Sequence, residues 1–259
     1  MEKIISFILV LFLFSCNQQK KETVSELLKK TELKGWELDT IINELKNTPV
    51  TDSSLLFDFR LGMTHEQANE NLKKLIKEKR VSSVKFHDDL MMDSANVSFP
   101  LKLNSDEGQG SSLKLEFDNR KVDELSFSFI INNPYLKSKI IEKDLPNAGS
   151  IILRFQNEFI QLFTEKFKKS PFKLFDSENN VLYVWLVDGK EFEIHPKNIK
   201  DIFDSIIYIY RDEISLASVN YFKLIPKQER RDKLVERILK MMKEEETKNK
   251  ENLLKNNKF

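Results

Sequence analysis

A helical apolar pattern followed by several alternating apolar patterns occurs twice in this chain, and this order constrains the fold more than any other feature. In the first half, Thr64 and Gln67 have the spacing of a capping box, and the residues that follow predict a helix over 64–80. In the second half, apolar residues over 152–167 predict a strongly amphipathic helix that ends before Pro171. We therefore predict an α+β fold in which a helix packs on an antiparallel meander sheet, with the second half a candidate duplication of the first.

The alternating segments also predict where the strands lie. In the first half, strands are predicted over 55–59, 84–86, 97–103, 113–117 and 122–129. In the second half, they are predicted over 172–175, 181–187, 191–195 and 206–214. The inward face changes by one residue after Val122, which indicates a β-bulge near Asp123. Asp188-Gly189 is typical of a two-residue type I′ hairpin turn, and Gly62 permits a sharp turn before the first helix.

Changes in composition divide the chain into five segments. We expect a signal peptide over 1–15, a tether with a short helix over 16–50, a first α+β unit over 51–133, a second over 134–225, and a charged C-terminal helix and tail over 226–259. The short helix of the tether is predicted from a stripe that includes Leu38, Ile41 and Ile42, with Asp39 as its N-cap. Thr48-Pro49 would end it.

The C-terminal helix carries a predicted apolar stripe within a basic segment. The stripe is formed by Leu234, Val235, Ile238, Leu239 and Met242. Residues 223–259 contain 12 Lys and Arg against 7 Asp and Glu, a balance of +5 that leaves −4 for the rest of the chain. The pattern predicts a terminal helix that docks through its stripe and then frays into a solvated end. The alternative is a contact with anionic phospholipid or lipopolysaccharide.

The N-terminus has the layout of a secretory signal. A charged start, Glu2-Lys3, precedes an apolar run over 4–14 that is broken only by Ser6. This run of about eleven residues is shorter than the ~20 that a membrane-spanning helix needs. An abruptly polar stretch follows Cys16. Because Cys16 is the single cysteine of the sequence, the chain can form neither an internal disulfide nor a CxxC zinc site.

The residues Leu13-Phe14-Ser15-Cys16 resemble the lipobox of bacterial lipoprotein signal peptides. In that family the peptide is cut before the cysteine, the sulfur is diacylated, and the new amino terminus is usually acylated too. The resemblance implies that Cys16 is lipidated and that the membrane is a partner through this residue. Two or more buried chains give stable anchoring where one chain does not. We therefore expect the protein to be lipid-anchored to the outer or inner membrane of the cell envelope, with its folded part in the periplasm or at the cell surface.

The segment Leu61-Gly62-Met63-Thr64 with Glu66-Gln67 resembles a turn in small outer-membrane-assembly lipoproteins and in the β-lactamase-inhibitor-like fold. In those families the turn opens a helix that a short strand meander follows. The resemblance covers roughly residues 57–130. It implies a role in protein–protein contact rather than in catalysis.

The residues that could carry chemistry are few and scattered. Lys and Arg number 42 against 41 for Asp and Glu, which does not provide the strongly basic surface of a nucleic-acid-binding protein. The three histidines, His65, His87 and His195, fall on different predicted elements. Both the His87-Asp88-Asp89 cluster and the Glu193-x-His195 pair lack the helical spacing of a metal site. No pair of carboxylates is marked by apolar surroundings that would raise a pKa, and no nucleophile motif occurs. We predict no catalytic residue, no metal and no cofactor.

A loose three-residue pattern marks candidate modification sites. Thr40, Ser94 and Ser205 each follow an aspartate and precede an apolar residue, as in the O-glycosylation site of exported Bacteroidota proteins. The Lys-, Asn-, Ile- and Phe-rich composition is compatible with such a source. These three residues are therefore candidate O-glycosylation sites.

Three functions from different classes remain open at this point. The first is a cell-envelope lipoprotein that acts as a non-enzymatic binding or assembly module for an envelope protein. The second is an immunity or inhibitor lipoprotein that acts on a secreted hydrolase or toxin, for which acidic and aromatic residues projecting from one sheet face would be the sign. The third, an enzyme, requires a pocket that holds His87 or His195 beside carboxylates. The sequence favours the first.

Overall fold

The computed structural model describes residues 22–85, 92–97, 100–102, 107–118, 121–131, 133–176, 179–207 and 214–256. The helices in these ranges are α1 (Val24–Leu27), α2 (Gly35–Leu45), α3 (His65–Lys77), α4 (Pro134–Ile141), α5 (Leu145–Phe167), α6 (Ile199–Ile207) and α7 (Lys227–Asn256). The strands are β1 (Val81–Lys85), β2 (Met92–Val97), β3 (Pro100–Lys102), β4 (Glu107–Asp118), β5 (Lys121–Ile131), β6 (Phe172–Phe175), β7 (Val181–Val187), β8 (Lys190–Pro196) and β9 (Ile214–Lys223).

One antiparallel sheet runs through both halves of the chain, which confirms the predicted α+β class. Its order is β1-β2-β4-β5-β9-β8-β7-β6, and β3 pairs with β4 beside this path. In each half a helix, α3 or α5, precedes the strands, and the last strands of the halves, β5 and β9, pair at the centre of the sheet. The two halves therefore share the order of helix and meander, and their sheets are continuous.

Several local predictions are confirmed. Thr64 caps α3: its hydroxyl accepts from the Gln67 amide at 3.3 Å, and the Gln67 side chain accepts from the Thr64 amide at 2.9 Å. Gly62, at φ +78°, makes the turn before it. The β-bulge is also present, because Glu116 pairs with Glu124 while the next residue of β4 pairs with Val122, which leaves Asp123 as the extra residue.

The turn between β7 and β8 is the predicted hairpin. Asp188 and Gly189 have φ of +52° and +75°, as a type I′ turn requires. A side chain at position 189 would also lie 3.0 Å from the Pro49 carbonyl oxygen, so this glycine allows residues 49–50 to pack against the hairpin.

Two predicted strands are wrong. Residues 55–59 do not form a strand: Phe57 and Asp58 both have positive φ, and a single bridge joins Ser54 to Arg60 around this tight turn. In the segment 206–214, residues 206 and 207 belong to α6 rather than to a strand, Ile214 is the first residue of β9, and residues 208–213 lie outside the described ranges. Apolar residues of α6 recur at helical spacing, and a short isoleucine-rich run fits either structure until its neighbours are known.

Two further details also differ from the predictions. The segment 97–103 is divided between β2 and β3, which lie at different places along β4. Asp39 does not cap α2. That helix begins after Lys34, whose amide donates to the Glu37 carboxylate at 2.6 Å, and Asp39 instead accepts from the backbone amide of Lys227 at 3.3 Å.

The main core lies on one face of the sheet, here called the inner face. Helices α3 and α5 cover it, and aromatic side chains fill it: the rings of Phe129 and Phe159 are stacked with centroids 4.0 Å apart, and Trp185 and Phe192 are fully buried.

The other face of the sheet, the outer face, is covered by residues that the sequence assigns to a tether. Leu27, Ile41 and Ile42 of α1 and α2 are buried in a second cluster against β6 and β7. This cluster also contains Phe172, Leu174, Val184, Leu186 and Leu224. The part of the tether that the structure describes is therefore a layer of the fold.

Helix α7 leaves the body soon after its start. The prediction that it docks through its apolar stripe is wrong for the stripe residues whose side chains the structure describes, because Val235, Ile238, Leu239 and Met242 are 45–61 % exposed. Every described side chain from Val235 to Lys250 is exposed. Within the described ranges, no helix combines the length and the apolar character that crossing a bilayer requires.

Candidate functional site

Strand β8 places two carboxylates and an imidazole on the outer face of the sheet. Because side chains alternate along a strand, Phe192 and Ile194 enter the inner core while Glu191, Glu193 and His195 point the other way. A strand residue on a solvated face would keep its charge in water. Here Glu191 is only 2 % exposed and Glu193 8 %, because α2 and the start of α7 cover this part of the sheet.

Arg230, in the first turns of α7, lies between these carboxylates. Its Nη2 donates a hydrogen bond to Glu191 Oε2, and its Nη1 lies 3.9 Å from Glu193 Oε1. The guanidinium carbon is 3.7 Å from the centroid of the Phe222 ring, and Phe222 is paired with Glu191 across β8 and β9. One cation thus meets two carboxylates and an aromatic face, the set of groups that recognises guanidinium and ammonium ions in proteins.

His195 completes the cluster at its more open end. Its Nε2 lies 2.9 Å from Glu193 Oε2, and 43 % of its side chain is exposed against 10 % for Glu193. The imidazole therefore lies between the buried carboxylate and solvent. We call Glu191, Glu193, His195 and Arg230 the Glu191 cluster.

The pKa values of the two buried carboxyl groups are shifted in opposite directions. Desolvation, followed by the charge of Glu193, raises the pKa of Glu191 to about 8, although Arg230 acts to lower it. Desolvation also acts to raise the pKa of Glu193, but the hydrogen bond and charge of His195, with the charge of Arg230, hold it below its usual value. Two acidic groups that share one guanidinium titrate as a pair, so the proton that the pair retains near neutral pH resides chiefly on Glu191.

A cleft of about 360 Å³ opens beside this cluster, between α2, the strands β5 to β9 and the start of α7. Its wall carries charges of both signs. The acidic side chains are Asp39, Asp123, Glu124, Glu191 and Glu193, and the basic ones are Lys223, Lys227, Arg230, Arg231 and Lys233. The residues that line the cleft include no serine, threonine or cysteine. Charged side chains of both signs give this wall the groups that recognise charged ligands.

The polar surface continues from the cleft across the sheet. Glu193 is paired with Asn220, which is paired in turn with Ser126 of β5. One step along, Ser218 lies between His195 and Ser128 in the same way. All four of these smaller residues are half-buried, so a patch of hydrogen-bonding side chains spans three strands next to the cleft.

The remaining predicted residues do not join this site. His65 lies in α3, which covers the inner face, and its Nδ1 is 3.2 Å from the Asn69 amide nitrogen. His87 and Cys16 lie outside the described residues. In the part of the chain that the structure describes, no group of three His, Cys, Asp or Glu side chains could hold a metal ion.

The candidate O-glycosylation residues lie in three different settings. Thr40 is half-buried in α2 and donates its hydroxyl to the Trp36 carbonyl at 2.8 Å. Ser94 lies in β2, paired with Lys85 on one side and Lys114 on the other. Ser205 lies in α6.

The expectation that no carboxylate pair has surroundings that raise a pKa is wrong, since burial beside Glu193 raises the pKa of Glu191. The alternation Glu191-Phe192-Glu193-Ile194-His195 places the charges on one face, and in this respect the sequence does signal the site. It could not signal their burial, because Arg230 is 39 residues from Glu191 in the chain.

Comparison of the chain with protein-family models, with curated proteins and with solved structures finds no match.

Proposed function

We propose that the protein is a lipid-anchored cell-envelope protein that acts as a non-enzymatic binding or assembly module, and that it binds its partner through the cleft beside the Glu191 cluster. The observation that carries this proposal is the pair of buried carboxylates that share Arg230 at the edge of an open cleft.

The pair is difficult to explain by stability alone. Removing two charges from water costs several kcal/mol per ion, and replacing a buried ion pair by apolar residues of similar size is often neutral or stabilising. Leu38, Ile42 and Leu174 line the same cleft with apolar side chains, so the fold accepts an apolar closure in this layer. Apolar side chains could close this layer without any cost of desolvation. Buried charged groups at the edge of the cleft therefore indicate a role in recognition.

The shape and charge of the surface suit a polypeptide partner. The cleft has room for a few side chains, and its walls carry both signs of charge. The adjoining patch of Ser126, Ser128, Ser218 and Asn220 offers hydrogen bonds along three strands. A protein segment with charged side chains would use both parts, which agrees with an envelope protein as the partner.

One observation favours an enzyme as a second candidate. His195 lies beside Glu193 in a cleft, and Glu191 has a raised pKa, as an acid–base site requires. A catalytic acid must reach its substrate, however, and Glu191 is 2 % exposed beneath Arg230. We therefore prefer binding to catalysis.

The immunity or inhibitor function is supported in part. The acidic residues expected on one sheet face are present around the cleft, but Phe222 lies beneath the Arg230 guanidinium instead of projecting to a partner. The lipid anchor rests on the lipobox resemblance of residues 13–16 and on the apolar run before it.

Site-specific photocrosslinking in cells tests the binding proposal. p-Benzoylphenylalanine would replace Lys223, an exposed residue of the cleft wall, in the full chain. The control position is Asn157, exposed on α5 over the inner face. A discrete protein adduct from position 223 that is absent from position 157 supports the proposal. Equal adducts from both positions, or none from position 223, would contradict it.

A further inference from the structure

A second surface lies on α7 and begins at Arg231, where the helix still lines the cleft. Val235, Ile238, Leu239 and Met242, here called the α7 stripe, recur at intervals of three and four residues, so they share one face of the helix. They are exposed by 53, 45, 52 and 61 % of their surface. An apolar face that no described element covers indicates that another molecule covers it.

Charged residues lie at both ends of the α7 stripe and on the same face. Arg231 precedes Ile238 by seven residues, and Glu246 follows Leu239 by seven. Seven residues make nearly two turns of about 3.6 residues each, so each charge lies in line with the stripe. The stripe is thus bounded by a basic residue toward the start of the helix and an acidic residue toward its end, both exposed.

We propose that the α7 stripe binds the same stripe of a second copy of this chain, with the two helices antiparallel. If Ile238 of each copy faces Leu239 of the other, Val235 faces Met242 and Arg231 faces Glu246 at both ends. The apolar layers meet at the centre and opposite charges meet outside them, as in a two-fold interface in which one patch is complementary to itself. Within one chain, Glu246 forms an exposed ion pair with Lys250 at 2.6 Å. An exposed pair of this kind contributes little to stability, so Glu246 can pair with Arg231 of the second copy instead.

The charges argue against the other occupants. In a parallel pair Arg231 would face Arg231 and Glu246 would face Glu246, which is unfavourable at both ends. On an anionic membrane the same face would press Glu245 and Glu246 toward negative headgroups, although the first half of α7 is basic. A second antiparallel copy satisfies both ends at once.

Cysteine crosslinking of the full chain in cells tests this orientation. One tagged copy would carry Val235→Cys and a second, differently tagged, Met242→Cys, with the parent chain and its Cys16 as background. Oxidation is expected to give a mixed disulfide at about twice the mass of the mature chain, and much less disulfide within either variant alone. A Leu153→Cys copy provides a matched control, because Leu153 is 48 % exposed on α5 and should give no band above background.

Charge reversal tests the ends of the interface. Arg231→Glu in both copies is expected to lower the mixed-disulfide yield, and adding Glu246→Arg is expected to restore it. Disulfides that form equally within each variant would show a parallel pair and overturn the proposal. The proposal would also fail if no disulfide formed and Leu239→Glu only weakened association of the chain with phosphatidylglycerol vesicles, since lipid would then be the partner.

Discussion

The guanidinium carbon of Arg230 lies 3.7 Å from the centroid of the Phe222 ring, while its Nη2 donates to the Glu191 carboxylate. The start of α7 is therefore fixed to the sheet by an aromatic face below the cation and a carboxylate beside it. The described side chains of the helix from Val235 to Lys250 are exposed, and Arg230 is one of the α7 residues that line the cleft.

The first prediction concerns the lipid anchor. Cys16→Ser removes the sulfur that the lipobox resemblance identifies as the acylation site, so the chain should remain as unprocessed precursor. Metabolic labelling with palmitate should show no labelled product, and Ser15→Ala, which keeps a small residue before the cysteine, is the control. Normal processing with labelled lipid in the Cys16→Ser chain would refute the anchor.

The second prediction concerns the turn at Gly62. Its φ of +78° is strained for any residue with a side chain, although a Cβ there would contact nothing within 4 Å. Gly62→Val should therefore cost ~1 kcal/mol or more of unfolding free energy, a fall of about 2–4 °C in Tm for a chain of this size. Gly35→Val is the matched control, because a Cβ at position 35 also meets nothing and its φ is not positive. A Gly62→Val chain that melted within about 1 °C of wild type would show that the turn carries no strain.

The structure shows which parts of a fold can be predicted from sequence. Helix α3 and the β7–β8 hairpin were predictable because their determinants are local: a capping box at Thr64 and the positive-φ pair Asp188-Gly189. The segments 55–59 and 206–214 were not, since a few alternating apolar residues fit a strand, a turn or a helix until the surrounding layers are known.

The candidate site shows the same limit. The faces of β8 follow from alternation, but the burial of Glu191 depends on Arg230 and on α2, which are distant in the chain. A pattern of alternating charges therefore shows which side chains share a face of β8, but not that other elements cover this face.

The third prediction concerns the dependence of stability on pH. The pKa of Glu191 rises from an ordinary value of 4.5 to about 8 on folding, so the folded chain holds this proton more tightly than the unfolded chain. The stability that this group contributes is present below pH ~4.5 and is lost as the pH rises toward ~8. Glu191→Gln removes this loss. The Tm of the variant relative to that of wild type should therefore be higher at pH 8.5 than at pH 5.

Thermal melts followed by circular dichroism at these two pH values measure the effect. Glu165→Gln, at an exposed position of α5, is the control and should run parallel to wild type. If the difference in Tm between Glu191→Gln and wild type stayed constant or shrank as the pH rose, Glu191 would not be the group that retains the proton.

The fourth prediction concerns the contribution of the Arg230 charge to the free energy of unfolding. Arg230→Met leaves Glu191 and Glu193 buried without their cation, a change that typically costs 3–5 kcal/mol. At pH 5, well below its pKa of about 8, Glu191 is protonated, and the loss of the guanidinium should therefore cost less than at pH 8.5. Chemical denaturation at pH 8.5 should therefore show a larger loss than at pH 5. An equal loss at both values would show that the guanidinium acts through packing on Phe222 rather than through charge.

The central claim is that the Glu191 cluster serves binding rather than stability, and the triple variant Glu191→Leu/Glu193→Leu/Arg230→Met tests it most directly. The measurement is the yield of the position-223 photocrosslink, taken together with the Tm of the same protein. The account predicts a Tm equal to or above that of wild type, because apolar side chains replace both carboxyl groups and their cation and leave no buried charge unpaired, together with loss of the crosslinked partner. A triple variant that melted well below wild type, or a stable one that still gave the full adduct, would contradict the account.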